Sequence, residues 1–199
     1  ISGVEVVDRE SNKKFTVKAK VVINATGVFS DQIMKMDQPD VKPMIRPSQG
    51  IHLVLENEFL DGPHAIMIPH TSDGRVLFAV PWHNHVVLGT TDTPIDQTLE
   101  EPKPIEEEID FILANAGQYM TKKPKRKDVK SVFAGLRPLA ANQESDSETK
   151  EISRHHKINV STSGLISILG GKWTTYRKMA EDAINTASMV AGLKEVKCR

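Results

Sequence analysis

Apolar positions along this chain fall mostly in short runs separated by polar turns, and a helix-like spacing appears in only a few places. Val4-Glu5-Val6-Val7 and Phe15-Thr16-Val17-Lys18-Ala19 alternate as strands do, and the polar stretch from Asp8 to Lys13 between them predicts a hairpin. Lys20-Val21-Val22-Ile23-Asn24-Ala25-Thr26-Gly27 is apolar on both faces at its centre, which places it inside a sheet. Ser30 is positioned to cap a short helix over Asp31 to Met36. Pro39, Pro43 and Pro47 then forbid regular helix and mark a crossing into a second region, with a boundary near residue 40. The runs Gly50 to Leu55, Ala65 to Pro69, Val76 to Trp82 and His85 to Thr90 are separated by turn signals at Asp61-Gly62-Pro63, Ser72-Asp73-Gly74 and His83-Asn84. Their close spacing predicts an antiparallel meander.

Pro104 followed by Glu106-Glu107-Glu108 suits the positive end of a helix, with Ile105, Ile109, Ile112, Leu113, Ala116 and Met120 as its buried stripe across one face of that sheet. The dense basic run Lys122-Lys123-Pro124-Lys125-Arg126-Lys127 reads as a solvated loop, with contact to anionic lipid or a partner as the alternative. Lys130 to Leu139 reads as another strand, and Arg137 within it needs a partner, because an unpaired buried charge is costly. Asn142 to Lys150 is polar loop material, and Arg154 follows it. The last stretch joins an apolar, β-branched run, Leu165 to Leu169, to the glycine pair Gly170-Gly171. After the pair, Tyr176, Met179, Ala180, Ala183, Ile184, Ala187 and Val190 recur at helical spacing. Glycines at a strand-to-helix junction let backbone approach a ligand closely, and the N–H groups of a helix's first turn suit an anion or an electron-rich ring. A sharp bend between packed elements would use the same glycines.

Lys plus Arg and Asp plus Glu each number 26, so net charge gives no footing for a general nucleic-acid binder. The single cysteine, Cys198, excludes an internal disulfide and a cysteine-rich zinc site, and seven histidines without a His-x-x-x-His spacing point to no metal. No apolar run approaches the roughly 20 residues that span a bilayer. Ile1-Ser2-Gly3 leads straight into a strand-like run, so the chain is expected to be a fragment of something longer.

The segments Asn24-Ala25-Thr26-Gly27, Gly89-Thr90-Thr91-Asp92-Thr93, Gly135-Leu136-Arg137-Pro138-Leu139, Ser153-Arg154 and Gly170-Gly171-Lys172-Trp173-Thr174-Thr175-Tyr176-Arg177-Lys178 cover nearly the whole chain. In this order they resemble the FAD-dependent glycerol-3-phosphate dehydrogenase family. The resemblance implies an α+β fold: the antiparallel or mixed-sheet substrate domain of a glutathione-reductase-like (D-amino-acid-oxidase-type) flavoprotein, with flanking pieces of the FAD domain. Residues 1–39 would be FAD domain, 40–160 substrate domain, and 161–199 the last strand and helix of the FAD domain. The Gly-x-Gly-x-x-Gly turn that such enzymes carry near their N-terminus is absent, so this piece alone is expected to be inactive or nearly so.

For the whole protein the resemblance implies oxidation of sn-glycerol 3-phosphate to dihydroxyacetone phosphate by hydride transfer to flavin N5, with electrons passed to quinone. A cytoplasmic protein, extending to a peripheral place at the inner face of the cytoplasmic membrane, would fit. Ala25, Thr26, Gly27, Gly170, Gly171, Lys172, Trp173 and Thr174 would touch FAD. Arg137 and Arg154 would clamp the phosphate, since a guanidinium fork matches its oxygens; a structural ion pair is the other use of each. Lys172 would put an ammonium near the flavin O2 edge or the substrate, or else be solvated. His52, mid-strand among apolar neighbours, is a base or substrate ligand, or a core histidine held by a carbonyl. Thr90, Thr91 and Asp92 end a strand and would line the pocket or form a turn, and Trp82 and Trp173 read as packing. Two rivals stand beside the dehydrogenase: an oxidase of the same fold that reduces oxygen, and, for the fragment, a non-catalytic domain binding an anion or a protein.

Overall fold

A computed structural model describes residues 1–60, 62–141, 155–194 and 196–198. The first strands are β1 (Gly3–Val7), β2 (Lys14–Lys18) and β3 (Val22–Asn24), followed by α1 (Ser30–Asp37) and the long β4 (Ile45–Glu56). Then come β5 (Ile66–Ile68), β6 (Leu77–Trp82), β7 (His85–Gly89), β8 (Thr93–Pro94), α2 (Glu106–Ala116) and β9 (Ser131–Ala140). The last elements are β10 (Lys157–Val160), β11 (Leu165–Leu169) and α3 (Tyr176–Val190). The chain packs as two compact units, one of residues 1–46 with 138–199 and the other of residues 47–137. Both crossings fall inside strands, at the Arg46-Pro47 and Arg137-Pro138 steps of β4 and β9.

In the first unit, β1 and β2 form the antiparallel hairpin. β11 pairs in parallel with β3, Ser167 opposite Asn24, and antiparallel with β10. Met34, Ile45, Ala140, Leu165 and Leu169 form this unit's buried cluster. Ser30 is not the cap expected of it: Phe29 holds the cap position and no side chain caps the helix, while Ser30 is buried in the first turn and its carbonyl accepts from Asn24 Nδ2 at 3.0 Å. The polar anchor of this helix is Asp31, whose carboxylate accepts from the Met44 and Ile45 N–H groups at 2.9 and 3.2 Å and ties β4's start to α1. A negative side chain in the first turn also suits the helix dipole.

The second unit holds a sheet of order β5-β6-β7-β4-β8, with β9 also paired to β4. Strands β5, β6 and β7 are the expected meander, but β4 pairs with β7 rather than with its sequence neighbour β5. Pro47 lies inside β4, not at its edge; the paired partner at that end, β8, is two residues long, so few ladder bonds depend on the missing N–H. Alternate β4 residues Ile51, Leu53 and Leu55 point into a core shared with Leu77, Val86 and Leu88 and with Ile109, Ile112, Leu113 and Ala116 of α2. Helix α2 therefore covers one sheet face as its stripe predicts. Ile105 departs from that stripe: it precedes the helix and is 43% exposed. In the basic run, Lys122 pairs with Glu58 and Arg126 with Glu106, all solvent-exposed side chains.

Candidate functional site

The second unit collects Arg137, Thr90, Thr91 and His52. Arg137 Nη2 donates to Thr90 Oγ1 at 3.0 Å, and Nη1 lies 3.6 Å from Asp92 Oδ1, with the arginine side chain 26% exposed and Asp92 5%. Asp92 also accepts from the Ser48 hydroxyl. The guanidinium lies flat against β4 at Gly50, where any Cβ would overlap it. The partner that an arginine in an apolar strand requires is thus a buried carboxylate and a hydroxyl, and a quarter of the side chain still faces water.

His52, on the same strand, stacks on Phe133 with ring centroids 5.0 Å apart and planes 11° from parallel. Gly89 is opposite it in the β4–β7 ladder, and a Cβ there would sit 2.6 Å from His52 Cδ2 and 2.8 Å from the Ile51 carbonyl oxygen. The glycine that opens the Gly-Thr-Thr-Asp-Thr segment makes room for the ring. Burial, and after it the Arg137 charge, hold the imidazole below its ordinary value of 6.5, so it is neutral at neutral pH and able to accept a proton. Thr91 turns inward: it is 3% exposed, and its hydroxyl donates to Glu108 and accepts from the Ile51 N–H.

In the first unit, Ala25, Thr26 and Gly27 follow the carboxyl end of β3, and Gly170 to Thr174 follow the carboxyl end of β11. Because these strands are parallel neighbours, both segments leave the sheet on one side. In open sheets with parallel strands, that edge is where ligands bind. Asn24 sets the first loop: its amide donates to Ser30 O and Ser167 Oγ, and its oxygen accepts from the Thr26 hydroxyl at 2.7 Å. Gly170 and Gly171 have φ of 72° and 88°, a left-handed backbone that favours glycine. A side chain at Gly171 would strike Met179 and press on His156, so the pair does serve the sharp bend between packed elements. Its outer side continues into exposed Lys172 and into Trp173, 87% exposed and stacked on Tyr176 at 5.7 Å rather than packed in a core. Lys172 precedes a 3₁₀ turn (Trp173–Thr175) and has extended backbone, so α3 begins at Tyr176 and not directly after the glycines.

Arg154 lies outside the described residues. Ser48, Gly50, Asn24 and Glu108 are site residues without a sequence-level assignment, while Asp92, expected to line the pocket or form a turn, holds Arg137 instead. Gly50 carried a signal, since it opens a run already singled out, whereas Glu108 is one of three consecutive glutamates and nothing local separates it from its neighbours.

The fold is a mixed α+β architecture of antiparallel and mixed sheets, as in FAD-dependent oxidoreductases. The profile of the family described as DAO, FAD dependent oxidoreductase, matches residues 1–177. The chain belongs to that family. It is similar to the mitochondrial glycerol-3-phosphate dehydrogenases of Bos taurus, 45% identical over 98% of this chain, and of Homo sapiens, 44% identical over the same share. The chain spans only about a quarter of these relatives, 27% of each. Among solved structures it resembles the FAD-complexed glycerol-3-phosphate dehydrogenase of Bacillus halodurans with a TM-score of 0.82 at 35% identity, covering 98% of this chain and 37% of that one. Glycine oxidase from Bacillus cereus, at 17% identity and a TM-score of 0.56, shares the fold alone.

Proposed function

We propose that this chain supplies the substrate-facing sheet, residues 47–137, and part of the flavin-facing edge, residues 1–46 with 138–199, of an FAD-dependent glycerol-3-phosphate dehydrogenase. The observation that carries this reading is the Arg137 guanidinium, held by Thr90 and Asp92 and laid on Gly50 of β4, the strand that also bears a neutral, half-buried His52. A planar fork of donors suits a phosphate or an alkoxide oxygen. Arg137 binds and orients the substrate, and His52 takes the proton of the hydroxyl being oxidised. Thr90 and Asp92 hold the guanidinium in place.

The left-handed glycines after β11, the open backbone at Gly27 (φ 61°, with nothing within 4 Å of a built Cβ) and the exposed Lys172-Trp173-Thr174 segment suit an extended anionic cofactor with a flat ring. FAD bound there supplies two-electron acceptance. Lys172 offers an ammonium to the cofactor or the substrate.

Calorimetric titration of the FAD-loaded whole protein with glycerol 3-phosphate tests this. Arg137→Ala should weaken binding by about 100-fold or more, as expected when one partner of a charged hydrogen-bonded pair is removed. Undiminished affinity would remove the clamp and the reading with it. Quinone as electron acceptor, at a membrane surface, follows the same resemblance. No helix among the described residues is long and apolar enough to cross a membrane. Stopped-flow reoxidation by a soluble quinone should outpace reoxidation by oxygen; the reverse order would indicate an oxidase.

A further inference from the structure

We propose that Glu108 is a positioning residue for the Arg137 site: its buried carboxylate, acting through the Thr91 and Thr93 hydroxyls, sets the 90–93 segment that holds the guanidinium. Of the three consecutive glutamates at the start of α2, Glu106 and Glu107 are exposed and Glu108 is 3% exposed. Its Oε1 accepts from Thr91 Oγ1 at 2.8 Å and Thr93 Oγ1 at 2.7 Å; its Oε2 accepts from Gln49 Nε2 at 2.7 Å and the Ile105 N–H at 3.4 Å. A buried carboxylate is tolerated only where its lone pairs are met, and here all its partners among the described residues are neutral donors. It is not half of an ion pair that merely offsets charge.

The 90–93 segment divides its side chains between two anchors. Thr91 and Thr93 go to Glu108, while Thr90 and Asp92 go to Arg137, the alternation an extended chain produces. Each hydroxyl's polarity is set in turn. Thr91 has given its proton to Glu108, so it accepts from the Ile51 N–H at 3.1 Å. Thr90 gives its proton to the Thr91 carbonyl at 3.2 Å, which leaves a lone pair facing Arg137. A shift at Thr91 or Thr93 therefore reaches Thr90 and Asp92 through a single peptide unit. An amide at position 108 offers one acceptor oxygen in place of two and turns donors toward donors, so the segment must move.

This inference rests on the reading of Arg137 as the substrate's clamp, and a double-mutant cycle separates the two. Glycerol 3-phosphate affinity is measured calorimetrically on the FAD-loaded whole protein as wild type, Glu108→Gln, Arg137→Ala and the double variant, with flavin content as a check on folding. If Glu108 acts through Arg137, Glu108→Gln weakens binding about tenfold in the wild-type background and less than about twofold once Arg137 is gone. Equal losses in both backgrounds, or none, would overturn the proposal while leaving the clamp intact. If wild type does not bind glycerol 3-phosphate, the clamp reading fails. Crystal structures then decide: an Arg137 guanidinium moved off Thr90 in Glu108→Gln supports the positioning role, and an unmoved one ends it. Should Glu108→Gln fail to fold, Thr93→Val removes one of the two hydroxyl donors on Oε1 and takes its place in the same cycle, with a coupled loss of about threefold expected.

Discussion

At the scale of single residues, the chemistry depends on how tightly small backbone positions let charged groups approach. Gly50 and Gly89 are both in the sheet, where glycine is ordinarily a weakness, and each clears space for a side chain of the site. Gly50→Ala should displace Arg137 and raise KM for glycerol 3-phosphate by about tenfold or more, with a smaller effect on melting temperature; a steady-state titration beside a thermal scan checks the split. Arg137→Lys keeps the charge but loses the planar fork, and should recover only part of the binding lost in Arg137→Ala. His52 gives a pH prediction with a definite sign. Its pKa is held below 6.5 by burial first and Arg137 second, so the acid limb of kcat/KM lies below 6.5 and moves toward it in Arg137→Ala, where burial alone remains. The same shift contributes stability that is full above the unfolded value near 6.5 and is lost as pH falls through the folded value. His52→Asn should flatten that slope in denaturant titrations across the mildly acidic range. Arg137 was legible because a charge inside an apolar strand demands an explanation; Glu108 was not, because burial of one among three identical neighbours is decided by which way the helix faces.

At the scale of elements, short alternating runs were readable as strands, and the α2 stripe as a helix on a sheet, because both periodicities follow from backbone geometry. Strand order was not readable. The pairing of β4 with β7, which sets His52 opposite Gly89, joins residues far apart in sequence, and the parallel pairing of β11 with β3 is more distant still. Helix α3 shows the same limit: its apolar spacing is real, yet only Ala183 and Ala187 are buried among its described residues, while Ile184 is 56% and Tyr176 62% exposed. The turn before it is sharper evidence of constraint. Gly171→Ala puts a side chain at φ 88°, where the flexible end of Met179 must move aside, and should destabilise the protein by about 1 to 2 kcal/mol by chemical denaturation, with wild-type stability counting against the described turn. Ile112 is fully buried in the α2 core, and Ile112→Ala should cost about 2 to 5 kcal/mol by the same measurement.

For the molecule as a whole, two separate cores imply that damage stays local. Hydrogen exchange in Ile112→Ala should rise in β4, β6 and β7, which share that residue's core, and much less in β11, whose Leu165 and Leu169 belong to the other cluster. Uniform acceleration through both would mean a single cooperative unit.

The strand and helix runs, the arginine that must find a partner, the glycine pair at a strand-to-helix junction and, through its ordered motifs, the flavoprotein resemblance are all written in the order of residues along the chain. These are properties of neighbours along the chain, set by periodicity, charge and backbone freedom. Folding in three dimensions settles that Asp92 and Thr90 meet Arg137, that Glu108 rather than Glu106 or Glu107 faces inward, that Trp173 lies outside any core, and that the chain passes between its units within β4 and β9. Those outcomes come from pairings and burial between distant segments, which compete for the same space and have no trace in local spacing.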